Sequence, residues 1–348
     1  MAQLWYVAIT AMLAAYAVLD GFDIGAGIIH LIAARDDGQR RAVLRSIGPV
    51  WDGNEVWLIA AGGALFLAFP ALYAASFSGF YLPLTIILWL LVLRGISLEF
   101  RGRVESLVWA QLWDAVFFAA SAALAGFYGA AIGNVVRGVP LDVTGYFFLP
   151  LWTDFAAGKD VGILDWFTVM VGLAAFFALA EHGALWVAMK TEDELAERCR
   201  WLAGALWWAV ILFTALIAAL SPLVQPHLLE PVARHPWGYV FPAVAVIGLF
   251  GMRHFNRLAT EKHAFGCSCL YILGIVASIA FGLFPYVLPS NLDPALGLTI
   301  YNASAPARSL TIGMVWLVPG IILATGYMVA AYRSFAGKVK LHEEGEGY

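Results

Sequence analysis

The chain has 348 residues, 62% of them hydrophobic and 13% charged, with a formal net charge of −4. Soluble globular chains are about half apolar and about a quarter charged, so this composition excludes a soluble enzyme or a nucleic-acid-binding module and fits a polytopic membrane protein. Three cysteines with no C-x-x-C motif exclude a disulfide scaffold and give no sign of covalently attached haem.

Crossing a bilayer takes about 20 apolar residues in a helix. Nine stretches qualify in chain order: 4–34, 49–75, 77–98, 112–134, 162–188, 201–223, 237–256, 265–287 and 310–332. They are too long and too continuously apolar for barrel strands, which alternate. The reading is therefore an all-α fold of nine transmembrane helices in a single transmembrane domain, 1–348. The counting suggests two four-helix bundles plus one extra helix. The N-terminal apolar run has no basic flank and is too long for a signal peptide.

Basic residues follow every odd span. Arg35, Arg40, Arg41 and Arg45 come after the first, and Arg94, Arg101 and Arg103 close the third. Lys190, Arg198 and Arg200 follow the fifth, Arg253, Arg257 and Lys262 the seventh, and Arg333, Lys338 and Lys340 the ninth. These are 16 of the 20 basic residues. By the positive-inside rule the N-terminus lies outside and the C-terminus in the cytoplasm. Aromatics near span ends, Trp5, Tyr6, Trp51, Trp57, Trp152, Trp166 and Trp237 among them, read as interfacial anchors.

The first span carries DGFDIG, residues 20–25, where Asp20 and Asp23 share a helix face. Asp23 lies about 18 Å from Arg35 along the axis at 1.5 Å per residue, near mid-bilayer. Ionisable groups there are expensive and usually functional. His30 follows on nearly the same face. The second span opens GPVWDGNEVWL, with Asp52 and Glu55 roughly 5 and 9 Å past Pro49. Together the four acids make a ladder from the cytoplasm to the membrane centre: Asp52, Glu55, Asp23, Asp20. Carboxylates spaced this way and bridged by water carry protons.

A structural reading stands beside each. Asp52 and Glu55 sit in first turns, where the helix dipole favours anions. Asp20 and Asp23 could be buried partners of Arg94 or Arg101, and Arg101 could also pair with an acid of the second span. Arg94, Glu99, Arg101, Arg103 and Glu105 otherwise form a solvated charge cluster. Gly21, Gly25 and Gly27 fit close helix packing. His182 in the fifth span could ligate haem, but reads as a hydrogen-bonded core histidine. The other histidines, His30 apart, lie in loops or near span ends, so no haem or other metal ligand set is expected.

The segments AVLDGFDIGAG (17–27), GPVWDGNEVWLIAAGGALFLAFPALYAASFSGFY (48–81), LRGISLEFR (93–101), LWDAVFFAASAALAGFYGAAIGN (112–134), EHGALWVAMKT (181–191) and FPYVLPS (284–290) resemble subunit II of cytochrome bd-type quinol oxidases, including the cyanide-insensitive branch. The resemblance implies a respiratory terminal oxidase of the bacterial inner membrane that oxidises quinol and reduces O2 to water without pumping protons. It implies a heterodimer with subunit I, which holds two b-type haems and a d-type haem. Subunit II itself would have no haem and no catalytic residue. Small single-span accessory subunits and a structurally bound quinone are left open. The family's proton path includes the acids that match Asp23 and Asp52 here. Some members carry Gln at Glu55, which ranks it below Asp52. The alternative is a proton-coupled secondary transporter using the same acids, a class marked by inverted repeats and broken helices.

Overall fold

The computed structural model describes residues 1–339. Lys340, counted above among the basic residues, and His342 lie outside them. The described chain is almost wholly helical: α1 Ala2–Ala33, α2 Asp37–Ile47, α3 Trp51–Ala68, α4 Pro70–Gly79, α5 Tyr81–Phe100, α6 Leu107–Arg137, α7 Trp166–Lys190, α8 Asp193–Val224, α9 Glu230–Arg234, α10 Val240–Arg257, α11 Glu261–Leu283 and α12 Ala307–Ser334. One short antiparallel pair, β1 Tyr286–Leu288 with β2 Leu298–Thr299, folds in the segment before α12.

Among the described residues, eight helices are long and apolar enough to span a membrane, and the pair α3–α4 counts as a ninth if taken together. That pair corrects the straight span expected over 49–75: its two halves are bent by 119°. Phe69 leaves helical geometry at φ −132°, ψ 65°, and Pro70 offers no amide to continue the ladder. The loop after the first span also differs from expectation. Residues 37–47 form the helix α2, capped by Asp36, whose side chain accepts from the Gln39 amide at 2.9 Å.

α1 is central. Every residue from Asp20 to His30 is buried, with α3, α6, α7 and α11 packed around it. Burial on all sides explains why this stretch is apolar around its circumference, apart from its few ionisable groups. The α1–α7 crossing is backbone on backbone. A Cβ on Gly183 would land on the backbone of Gly25 and Ala26, and one on Gly25 would meet Gly183. The small-residue reading of Gly25 therefore holds. Trp5 is not an interfacial anchor. It is 1% exposed, and its indole donates to the Leu310 carbonyl at 3.0 Å.

The five basic segments meet at one end of the molecule. Arg101 bonds Asp37 at 2.7 Å, Arg198 donates to the Ala33 carbonyl at 2.8 Å, and Arg200 pairs with Glu261 at 2.9 Å. Val339 closes the ring by donating to Lys190 O at 2.7 Å. The loops at the opposite end also meet: Val139 bonds Pro289, Asn291 reaches Gly158, and Ala305 donates to Ala68 O at 2.9 Å.

Candidate functional site

The acids of α1 are held by α3 and α5. Asn54 donates to Asp23 Oδ2 at 2.7 Å and to the Leu19 carbonyl at 3.1 Å, and Tyr332 of α12 donates to Asn54 Oδ1 at 2.9 Å. Arg94 of α5 donates to Asp20 Oδ1 at 2.7 Å and to Glu55. Asp20, Asp23, Asn54 and Arg94 are each 0% exposed. One oxygen of each aspartate, Asp20 Oδ2 and Asp23 Oδ1, has no partner, nor do Arg94 Nε and Nη1. A buried cation flanked by two carboxylates is consistent with the desolvation rule that such charges persist only when paired. Close by, the hydroxyls of Tyr16 and Tyr128 meet at 2.8 Å.

This arrangement reorders the expected ladder. Glu55 does not precede Asp23 on the way inward: it reaches Asp20 through Arg94, while Asp23 is served by Asn54. Asp52 stands in the first turn of α3 and is exposed. Of the two readings given for Arg94, the buried partner of Asp20 holds and the solvated cluster does not: Arg94 is fully buried. Arg101 is corrected too. It bonds neither α1 acid nor any acid of α3, but Asp114 through Nε at 2.6 Å and Nη2 at 3.1 Å, and Asp37 at 2.7 Å. Asp114 also takes His30 Nε2 at 2.6 Å and Arg40 at 3.3 Å. Burial pushes the Asp37 carboxyl up, but Arg101 and Arg41 beside it prevail and hold it below the usual carboxylate range.

Three site residues escaped the sequence reading. Asp114 could have been found by the rule used for Asp20, being an acid inside an apolar run. Asn54 sat inside the quoted WDGNEV motif but carries no charge to draw the eye. Tyr332 contacts the site only through the last helix, and nothing local signals it.

The candidate haem ligand His182 has both nitrogens engaged, Nδ1 with Ser268 Oγ at 2.7 Å and Nε2 with the Val18 carbonyl at 2.9 Å, and its ring stacks on Phe265 with centroids 4.8 Å apart. His30 is tied to Asp114. Both His182 nitrogens and His30 Nε2 are thus engaged by protein groups.

The chain matches the family described as cytochrome bd terminal oxidase subunit II over residues 1–335. It is 31% identical to cytochrome bd-I ubiquinol oxidase subunit 2 of Escherichia coli K12 over 93% of this chain and 92% of that one. Cytochrome bd ubiquinol oxidase subunit 2 of Bacillus subtilis is 30% identical, over 98% and 97% respectively. The probable cytochrome oxidase subunit 2 of Haemophilus influenzae is likewise 30% identical, over 97% and 94%. Among solved structures, a chain of the bd oxidase from Geobacillus thermodenitrificans superposes with TM-score 0.70 at 16% identity, covering 96% of this chain and 98% of that one. At that identity the likeness speaks to the fold.

Proposed function

This chain belongs to the cytochrome bd terminal oxidase subunit II family, and on that premise we propose that it delivers protons to a haem-bearing partner through the acids of α1 and α3. It is a multi-pass inner-membrane protein and part of a quinol oxidase complex, an oxidoreductase that contains haem. The finer assignments are proposals. Two b-type haems and one d-type haem reside in subunit I, as the resemblance to the family implies. The nine-span count, the grouping of helices into two four-helix bundles with α12 added, and a cytoplasmic basic face complete the reading. On that basis α1 carries Asp20 and Asp23 to mid-membrane, and Asp52 opens at the cytoplasmic side. The transporter alternative finds no support among the relatives.

The observation that carries the reading is the pair of orphaned oxygens. Buried polar atoms are nearly always partnered by protein or water. Asp20 Oδ2 and Asp23 Oδ1 have no protein partner, and so can accept a proton arriving through water. Arg94 keeps the adjacent Asp20 Oδ1 and Glu55 in place, and Asn54 fixes the orientation of the Asp23 carboxyl. A proton then has a fixed pair of carboxylates to reach at a depth where bare water is scarce.

The test is Asp52→Asn in the assembled oxidase. Asp52 is exposed, so the substitution leaves no buried group stranded. Oxygen consumption should slow while the haem absorption bands stay unchanged. An unaltered rate would reduce Asp52 to a helix-end charge.

A further inference from the structure

A second set of buried ionisable groups lies where α1 packs against α6, and the proton-delivery reading above leaves it unused. From the basic face inward, side-chain exposure falls stepwise: Asp37 40%, Arg40 25%, Arg101 6%, Asp114 1%, His30 0%. The groups are contiguous. Arg101 bridges Asp37 to Asp114, Arg40 reaches Asp114, and Asp114 accepts from His30 Nε2. The His30 ring also meets Phe117 edge-on at 5.4 Å.

Two features point beyond an ion-pair cluster. Asp114 accepts from Nε2, which leaves Nδ1 as the free base of the ring, and Nδ1 has no partner. One turn inward, Ser121 of α6 presses its hydroxyl against Gly27 of α1 so closely that a Cβ there would overlap it, and that Oγ also has no partner. His30, Gly27, Asp23 and Asp20 recur at helical spacing on α1, while Asp114 and Ser121 do so on α6. Four atoms without a partner among the described residues are therefore carried on one stripe of α1 or packed against it: His30 Nδ1, Ser121 Oγ, Asp23 Oδ1 and Asp20 Oδ2. Buried polar atoms without a protein partner are normally completed by ordered water. His30 and Asp23 are seven residues apart, about 10 Å along the axis. Two waters and one hydroxyl, at roughly 2.8 Å per hydrogen bond, cover that distance.

We propose that the α1–α6 seam is a second, water-lined proton entrance, parallel to the one at Asp52, with the His30–Asp114 pair as its relay and Ser121 as its link to Asp23 and Asp20. Asp114 holds the Nε2–H tautomer and stabilises the imidazolium formed when Nδ1 takes a proton from a water entering at the Asp37 end. Nδ1 then gives that proton to the water between itself and Ser121, so the ring returns to its Nε2–H form and one proton has moved toward the α1 carboxylates.

The experiment rests on the same proton-delivery reading and separates the two. His30→Gln keeps a donor for Asp114 but cannot carry a proton. In the purified oxidase with saturating quinol, it should cost about twofold alone, as expected for one of two parallel routes. On an Asp52→Asn background it should remove about tenfold or more of the residual rate, toward the size usual for loss of a proton-transfer group, with haem bands unchanged. The residual rate should also lose its pH dependence. Ser121→Ala on the same background should slow turnover and Ser121→Thr should not, and this pair carries the test if His30→Gln fails to assemble. Should Asp52→Asn slow turnover and His30→Gln add nothing to it, or Asp52→Asn alone abolish turnover, the second entrance is refuted while the Asp52 reading stands. Loss on His30→Gln with Asp52→Asn silent would instead overturn the Asp52 entrance and keep this one.

Discussion

Replacing Arg94 with Gln strands a carboxylate at the centre of the molecule. Both Arg94 and Asp20 are 0% exposed, and their 2.7 Å bond is Asp20's one link to a cation. Glu55, the second acid on Arg94, is 23% exposed and can turn toward water; Asp20 cannot. Breaking a buried pair from one side costs about 3–5 kcal/mol. For a chain of this size, at about 2 °C per kcal/mol, that lowers the thermal midpoint of the purified complex by about 6–10 °C. Asp20→Asn in the same chain removes the stranded charge and should restore at least half of the loss, since neighbouring charges are not additive. The assay is thermal unfolding of parent, both single variants and the double variant under one set of conditions. If Arg94→Gln melts with the parent, or if adding Asp20→Asn brings nothing back, the pairing argument fails.

Two further outcomes are expected. Gly183→Ala places a methyl on the Gly25 backbone and must part α1 from α7; overpacking of this kind costs about 1–3 kcal/mol, to be read as a lower yield of assembled, haem-loaded complex. Glu181 is 2% exposed and its Oε2 has no partner, so Glu181→Met relieves about 1–3 kcal/mol of uncompensated burial and should raise the thermal midpoint with oxygen consumption unchanged.

The membrane class, the helical fold and the acids of DGFDIG and WDGNEV were legible in the sequence, because hydropathy and intramembrane charge are local signals. The pairings were not. Arg94 and Arg101 are seven residues apart near one helix end and look interchangeable. Their roles separate because Arg94 faces α1 inside the protein, while Arg101 falls at the point where α2 and α6 converge. That choice is made by packing of segments distant in sequence. The bend at Phe69 was partly readable, since Pro70 was plain to see, but a proline in a membrane helix often gives only a kink. The 119° turn of α4 has no counterpart in the local pattern.

The contacts between the two ends of the chain have a bearing on how it is made. Helix α1 is synthesised well before α11 and α12, yet its Trp5 indole bonds Leu310 and its Tyr6 hydroxyl bonds Ala280 at 2.6 Å. The elbow at the end of α3 offers its Ala68 carbonyl to Ala305, and Asn54 waits for Tyr332. The early helices thus keep unmet donors and acceptors until α11, Ala305 and α12 have been synthesised and inserted. A chain cut short before α12 leaves the Trp5 indole and Asn54 without their Leu310 and Tyr332 partners, and unmet polar groups in the bilayer each cost several kcal/mol. Quality-control proteases that sample unsatisfied polar groups in the membrane would therefore read the docking of α12 directly from α1 and α3.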